Sequence, residues 1–245
     1  MQVNRSVAKH IFSLIDLTSL NDQDDEVVIN SLCKKAVTQH EHVAAICIYP
    51  QFVQYAAQLL IGKSVKIATV ANFPFGIDAL DQVIESIHFS LKKGADEIDV
   101  VFPYQKYLAG EKQFAQDFVS ACKKACGEKI LKVILETGAL KELNFIAEVS
   151  ELALRAGADF IKTSTGKISV GATLEAAEVM LLAIKQLSVE LNRPLGFKAS
   201  GGVRSPQQAM QYIDLASRIM GTNWVTPMHF RLGASQLAEA LTLSF

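Results

Sequence analysis

Short apolar runs and helical stretches alternate along this chain from end to end, and that alternation limits the folds open to it. Eight runs read as strands: residues 43–49, 65–70, 97–102, 130–136, 160–163, 196–199, 218–220 and 229–232. Amphipathic stretches separate them, among them 79–93, 111–126, 143–156, 173–191 and 206–216. The runs are mostly uniformly apolar, the pattern of parallel strands covered by helices. Eight strand–helix units are what a closed barrel needs, so the expected fold class is α/β, a (β/α)8 TIM barrel. Residues 6–14 read as a short N-terminal helical extension, and Asp16-Leu17-Thr18 as a polar break after it. The rival architecture is an open, doubly wound sheet, but no Gly-x-Gly-x-x-Gly turn follows the first run. No linker or composition shift divides the 245 residues, so 1–245 is expected to be one barrel domain.

Within that alternation one stretch stands apart: Gly157-Ala158-Asp159-Phe160-Ile161-Lys162-Thr163-Ser164-Thr165-Gly166-Lys167. A strand ends there on a lysine, and a turn rich in hydroxyls and glycine follows. A buried ammonium is costly unless paired or functional, and desolvation makes its neutral, nucleophilic form easier to reach. The segment beginning Gly94-Ala95-Asp96-Glu97-Ile98-Asp99 repeats the same frame and sets Asp99 on the position of Lys162. Side chains alternate along a strand, so both should point into one space. A third strand end, Phe197-Lys198-Ala199-Ser200-Gly201-Gly202-Val203-Arg204, brings a second lysine and a glycine pair. Two readings of Lys162 follow: a Schiff-base nucleophile whose pKa a neighbouring Lys198 lowers, with Asp99 moving protons, or a structural ion pair with Asp99. In a barrel these residues share the C-terminal mouth with Cys47, Asn72 and Glu136. Glycine turns after the late strands, Gly201 to Arg204 and Gly233-Ala234-Ser235, suit a phosphate. Thr165 and Gly166 belong to a similar turn, and Lys167 is either a phosphate ligand or a solvated loop lysine.

Charge is balanced, 24 basic against 25 acidic residues, with no basic patch, which argues against nucleic acid or an anionic membrane as partner. No apolar stretch is long enough to span a bilayer and no signal-peptide pattern opens the chain. Four cysteines without metal-type spacing suit a reducing cytoplasm, the expected location. The five histidines, His10, His40, His42, His88 and His229, are scattered, so no metal site is expected. No Gly-x-Ser-x-Gly elbow points to a serine hydrolase.

At Asp99, Lys162 and Lys198 the chain resembles the deoxyribose-phosphate aldolases, class I aldolases with a (β/α) barrel fold. The similarity runs nearly end to end, through LIDLTSLND, AAICIYP, KIATVANFP, GADEIDVVFPY, LKVILETGAL, GADFIKTSTGK, GFKASGGVR and RLGAS. The resemblance implies a cofactor-free, reversible cleavage of 2-deoxy-D-ribose 5-phosphate to D-glyceraldehyde 3-phosphate and acetaldehyde, in deoxyribonucleoside catabolism. It makes Lys162 the Schiff-base lysine, Asp99 the proton donor and acceptor, and Lys198 the group that perturbs the nucleophile and assists proton transfer. Phosphate and substrate contacts are expected from Gly166, Lys167, Gly201, Gly202, Val203, Arg204, Gly233, Ala234 and Ser235, and from Asp16, Thr18, Cys47 and Thr165. The expected partners are these small molecules, with a homodimer through outer helices as the default assembly. Two departures stand out. Gln236 replaces a second serine after Ser235, and the sequence ends at Phe245, where some members carry a tail ending in tyrosine. A water chain to Asp99 and Lys198 is expected to serve in place of that tyrosine. Another Schiff-base sugar-phosphate aldolase or transaldolase, or a non-catalytic phosphometabolite-binding barrel, are the other readings.

Overall fold

The computed structural model of the protein describes residues 4–39 and 41–242; His40 and Phe245 lie outside the described residues. Helix α1 (Arg5–Ser13), capped by the Asn4 side chain, leads into β1 (Ile15–Thr18). Then come α2 (Glu26–Ala36), β2 (Ala45–Ile48), α3 (Val53–Leu59), β3 (Lys66–Ala71), α4 (Leu80–Lys92) and β4 (Glu97–Val101). Two helices, α5 (Tyr104–Leu108) and α6 (Lys112–Cys126), precede β5 (Ile130–Ile134), and two more, α7 (Thr137–Leu140) and α8 (Leu143–Arg155), precede β6 (Phe160–Lys162). The chain finishes with α9 (Leu174–Glu190), β7 (Gly196–Ser200), α10 (Pro206–Met220), β8 (Phe230–Ala234) and α11 (Leu237–Thr242). The eight strands are all parallel and pair in sequence order, with β1 against β8 closing the barrel. This is the (β/α)8 barrel expected from the alternation, with α1 as the N-terminal extension.

Two local expectations are overturned, and they offset each other in the strand count. Asp16-Leu17-Thr18 is no break but most of β1, paired with Ala45, Ile46 and Cys47 on one side and with Gly233 and Ala234 on the other. Its polar residue misled because Asp16 points into the barrel, where Lys198 and Arg231 meet it. Residues 218–220 are no strand but the end of α10: Ile219 and Met220 pack on the core along the same helix face, and Gly221 (φ 95°) stops the helix. The start of α10 is as the sequence suggests, Ser205 and Gln208 forming a reciprocal capping box around Pro206.

The repeated Gly-Ala-Asp frame has a structural cause. Gly94 and Gly157 turn the chain out of α4 and α8 with φ of 106° and 110°, a region that favours glycine. The aspartate that follows then ties its strand to the preceding one. The Asp96 side chain accepts from the Ile67 N–H at 3.1 Å, and that of Asp159 from the Leu131 N–H at 2.8 Å. The two strands therefore start at equivalent heights, and Asp99 and Lys162 arrive at the same level of the barrel.

Candidate active site

The inside of this barrel is charged. Asp16, Glu97, Asp99, Lys132, Lys162, Lys198 and Arg231 are all buried there, the most exposed at 4%. Register explains the grouping: Asp99 stands beside Lys132 in the β4–β5 ladder, Lys162 beside Lys198 in β6–β7, and Lys198 beside Arg231 in β7–β8. At the base, Arg231 holds Asp16 (2.6 Å) and Glu97 (2.9 Å). Lys132 rises from there, 2.6 Å from Glu97 and 2.7 Å from Asp99 Oδ1. Lys198 lies 2.6 Å from Asp16 and 2.8 Å from Asp99 Oδ2, and Lys162 reaches that same Oδ2 at 3.0 Å. Each acid is held between cations, the condition under which buried charge is tolerated.

The network treats its members unequally. Burial works against ionisation of Asp99, but Lys132, Lys198 and Lys162 outweigh it and hold the carboxyl well below the usual carboxylate range. Burial also opposes the Lys198 ammonium, yet Asp16 and Asp99 keep its pKa above the ordinary lysine value. Lys162 goes the other way. Burial and then the Lys198 ammonium push its pKa down, and the single contact with Asp99 does not restore it. Three carboxylates face four cations, so the loss of one proton from Lys162 balances the group. Cys47 sits 4.0 Å from Asp99 Oδ2, its thiol pKa raised by burial and then by Asp99.

Above Lys162 the loops after β1, β6, β7 and β8 enclose a cleft of about 670 Å³. Gly166, Gly201 and Gly202 turn there with φ of 79°, 87° and 97°. Among the described residues, the N–H groups of Gly166, Gly202 and Val203 donate to no protein acceptor. Such a concave set of free amides favours an anion. The loop leading into α9 also packs on the Gly201 turn: Ala172 N–H donates to Gly201 O at 2.9 Å, and a Cβ on Gly171 would clash with that oxygen. Thr163 fixes β6 to β7 by donating to Ser200 O and accepting from Ser200 N–H, both at 2.9 Å.

The residues singled out in the sequence thus divide between two adjoining places. Thr18, Thr165, Lys167, Arg204 and the glycine turns line the cleft, together with Val203, Ala234 and Ser235. Asp16 and Cys47 do not line it; both are buried in the barrel below, beside the lysines. Lys167 folds across the mouth, its Nζ 2.6 Å from Leu20 O. Leu20 and Ser19 of the β1–α2 loop are cleft residues that the sequence did not flag, and Gln236, noted there as a departure, also lines the cleft. Nor did it flag Lys132, Glu97 and Arg231; the available signal was a charge inside an apolar strand run. Among the described residues, no group of three or more His, Cys, Asp or Glu side chains is placed to hold a metal ion.

Fold and site together give a parallel (β/α)8 barrel with a glycine-lined cleft at the C-terminal mouth of its strands and buried lysines within the barrel. The chain belongs to the DeoC/LacD family of aldolases, whose family model matches residues 11–225. A solved structure from Coccidioides immitis, provisionally named a deoxyribose-phosphate aldolase, is 28% identical, with 97% of this chain and 86% of that chain covered and a TM-score of 0.83. A provisionally named one from Toxoplasma gondii ME49 has 24% identity, coverage of 98% and 93%, and a TM-score of 0.89. The Aeropyrum pernix deoxyribose phosphate aldolase, described as a tetramer, has 24% identity, coverage of 98% and 97%, and a TM-score of 0.76. At 24% identity the likeness concerns the fold.

Proposed function

We propose that this aldolase cleaves 2-deoxy-D-ribose 5-phosphate reversibly to acetaldehyde and D-glyceraldehyde 3-phosphate through a Schiff base on Lys162. The observation that carries the reading is the sharing of Asp99 Oδ2 by Lys162 and Lys198 directly beneath the anion cleft. A buried amine with a lowered pKa reaches its neutral, nucleophilic form, while the second lysine keeps its proton.

The steps follow from those positions. The cleft amides, Lys167 and Arg204 hold the phosphate, which sets the other end of the open-chain sugar over Lys162. The neutral Lys162 amine adds to the C1 carbonyl. Lys198, through Asp99, supplies the proton with which the carbinolamine hydroxyl leaves as water, giving an iminium ion. Asp99 then takes the proton of the C3 hydroxyl, directly or through a water. The C2–C3 bond breaks, its electron pair moves into the iminium as an enamine, and C3 becomes the aldehyde of glyceraldehyde 3-phosphate. Protonation of the enamine at C2 and addition of water release acetaldehyde and regenerate the amine. The charge network needs no rearrangement during this cycle, because its acids are already ionised and oriented.

Catabolism of deoxyribonucleosides in the cytoplasm belongs to the same reading. It is supported by the substrate chemistry and sits with four buried free cysteines and with the finding that no described helix is long and apolar enough to cross a membrane. The test is borohydride reduction with acetaldehyde, read by peptide mass. An ethyl adduct on Lys162, absent from Lys162→Met, is the expected result. A folded protein with no adduct would make Lys162 a structural ion pair and leave a phosphometabolite-binding barrel as the reading.

A further inference from the structure

Glu136 is a buried carboxylate for which the steps above have no use. It follows β5 at the mouth, fully buried, with backbone φ of 57° and ψ of 59°. A non-glycine residue in this left-handed region is uncommon and strained, and such strain persists only where the surroundings enforce it. Unlike Asp16, Glu97 and Asp99, Glu136 makes no salt bridge among the described residues. Its partners all belong to one residue: the Thr165 hydroxyl donates to Oε2, and the Thr165 N–H lies 3.3 Å from Oε1 and 3.4 Å from Oε2. Burial raises its pKa, with the Thr165 contacts and then the Lys162 charge working against that.

Those contacts lead into the anion cleft. Having donated its proton to Glu136, the Thr165 hydroxyl accepts from the Lys167 N–H at 3.1 Å. Thr165 and Lys167 are thus fixed on either side of Gly166, and the left-over N–H of Gly166 is held at the cleft wall. Next to it, the Thr137 N–H donates to Thr163 O at 2.9 Å, so the segment after β5 grips the one after β6 at two points. An exposed anion beside a phosphate site would repel the ligand; this one is covered and spent on Thr165, so what reaches the cleft is the shape it imposes.

We infer that Glu136 is a positioning residue for substrate phosphate: it locks the Thr165-Gly166-Lys167 turn into its anion-binding form and thereby sets the preference for phosphorylated over unphosphorylated substrates. The inference rests on the aldolase reading above and adds to it a residue that touches neither the reacting carbons nor the phosphate.

The test compares 2-deoxyribose 5-phosphate with 2-deoxyribose in Glu136→Gln and in Glu136→Asp, which keeps the carboxylate but draws it back from Thr165. Each variant should raise KM for the phosphorylated sugar by about fivefold or more, the factor one lost hydrogen bond represents. Over the same series, kcat/KM for 2-deoxyribose should stay within about twofold of wild type, since that sugar has no phosphate for the turn to hold. An equal fall for both sugars, or an unchanged KM for the phosphorylated one, would overturn the inference. Should Glu136→Gln not fold, Glu136→Asp decides by the same ratios. Failure of the underlying aldolase reading is separately visible, as wild-type protein that forms no acetaldehyde adduct.

Discussion

Lys162 and Lys198 are bound to one oxygen atom: Oδ2 of Asp99 lies 3.0 Å from the first ammonium and 2.8 Å from the second. Lys198 has Asp16 as a second salt-bridge partner and, among the described residues, Lys162 has Asp99 alone, so the two lysines, side by side in the ladder, differ in how firmly they hold a proton. The buried charges of the barrel act through that difference.

Removing the second lysine should therefore change how the first titrates. Lys198→Met deletes a positive charge that disfavours the Lys162 ammonium, so the Lys162 pKa rises. The acidic limb of the pH–rate profile, which reports the free amine, should move to higher pH, and kcat near pH 7 should fall by about a hundredfold with the proton donor gone. A profile measured with 2-deoxyribose 5-phosphate checks both; an acidic limb that stays in place would separate Lys198 from the activation of Lys162.

Asp99→Asn should cost both chemistry and stability. It leaves Lys132, Lys162 and Lys198 facing an uncharged amide in a buried site, which corresponds to about 3–5 kcal/mol. Exchange of the acetaldehyde α-protons should fall about tenfold or more, because in the proposed mechanism Asp99 carries protons to and from the enamine. Urea unfolding and proton exchange followed by NMR measure the two effects; unchanged exchange would assign the transfer to another group.

The same residue gives the acid dependence a sign. The folded-state pKa values of Asp99 and Asp16 are depressed, so in the unfolded chain both bind protons more readily. Their stabilising effect is fully present above the unfolded value of about 3.9, and it is lost as pH falls from there through the folded values. Unfolding free energy should thus decline steeply below about pH 4 in wild type and less steeply in Asp99→Asn. Equal slopes would mean that other carboxylates dominate acid unfolding.

Lys132 is a test of the network rather than of the chemistry. Lys132→Met leaves Glu97 with Arg231 alone and Asp99 Oδ1 without its cation, and should destabilise the fold by about 3–5 kcal/mol. The double variant Glu97→Gln/Lys132→Met should recover a measurable part of that loss, because one acid disappears with the cation. Strict additivity in urea unfolding would contradict the coupling.

Gly171→Ala probes the seam between the loop leading into α9 and the Gly201 turn. The new Cβ would clash with Gly201 O, so the loops must separate. KM for the phosphorylated sugar should rise about tenfold, the effect of one strained contact of 1–3 kcal/mol, while acetaldehyde trapping on Lys162 persists. Unchanged KM would show that the Gly201 turn binds phosphate independently of that loop.

Much of this was legible in the chain because a charge that ends an apolar run has few structural uses. Lys162 has that form; Asp99 and Lys198, expected at strand ends, are instead the middle residues of β4 and β7, and it was the repeated Gly-Ala-Asp frame that set Asp99 level with Lys162. What misled was charge within a run. Asp16 read as a break, and Lys132 as an interruption of an apolar stretch, because hydropathy along the chain does not reveal that four other strands place compensating charges around the same axis. The strand expected at residues 218–220 failed for a related reason: three residues are too few to show a helix period, and only the packing of α10 on the core displays it. Glu136 shows the limit most clearly, since its place at the mouth could be read in advance but its grip on Thr165, 29 residues later, depends on the closed barrel.

Asp16 and Arg231 lie 215 residues apart, on the strands that close the barrel. During synthesis Lys162 leaves the ribosome well before Arg231 exists, and a chain that stops short of β8 lacks the cation that steadies Asp16, which in turn steadies Lys198. The reactive amine is therefore completed by the end of translation. Chains released before residue 230 should show no acetaldehyde trapping on Lys162.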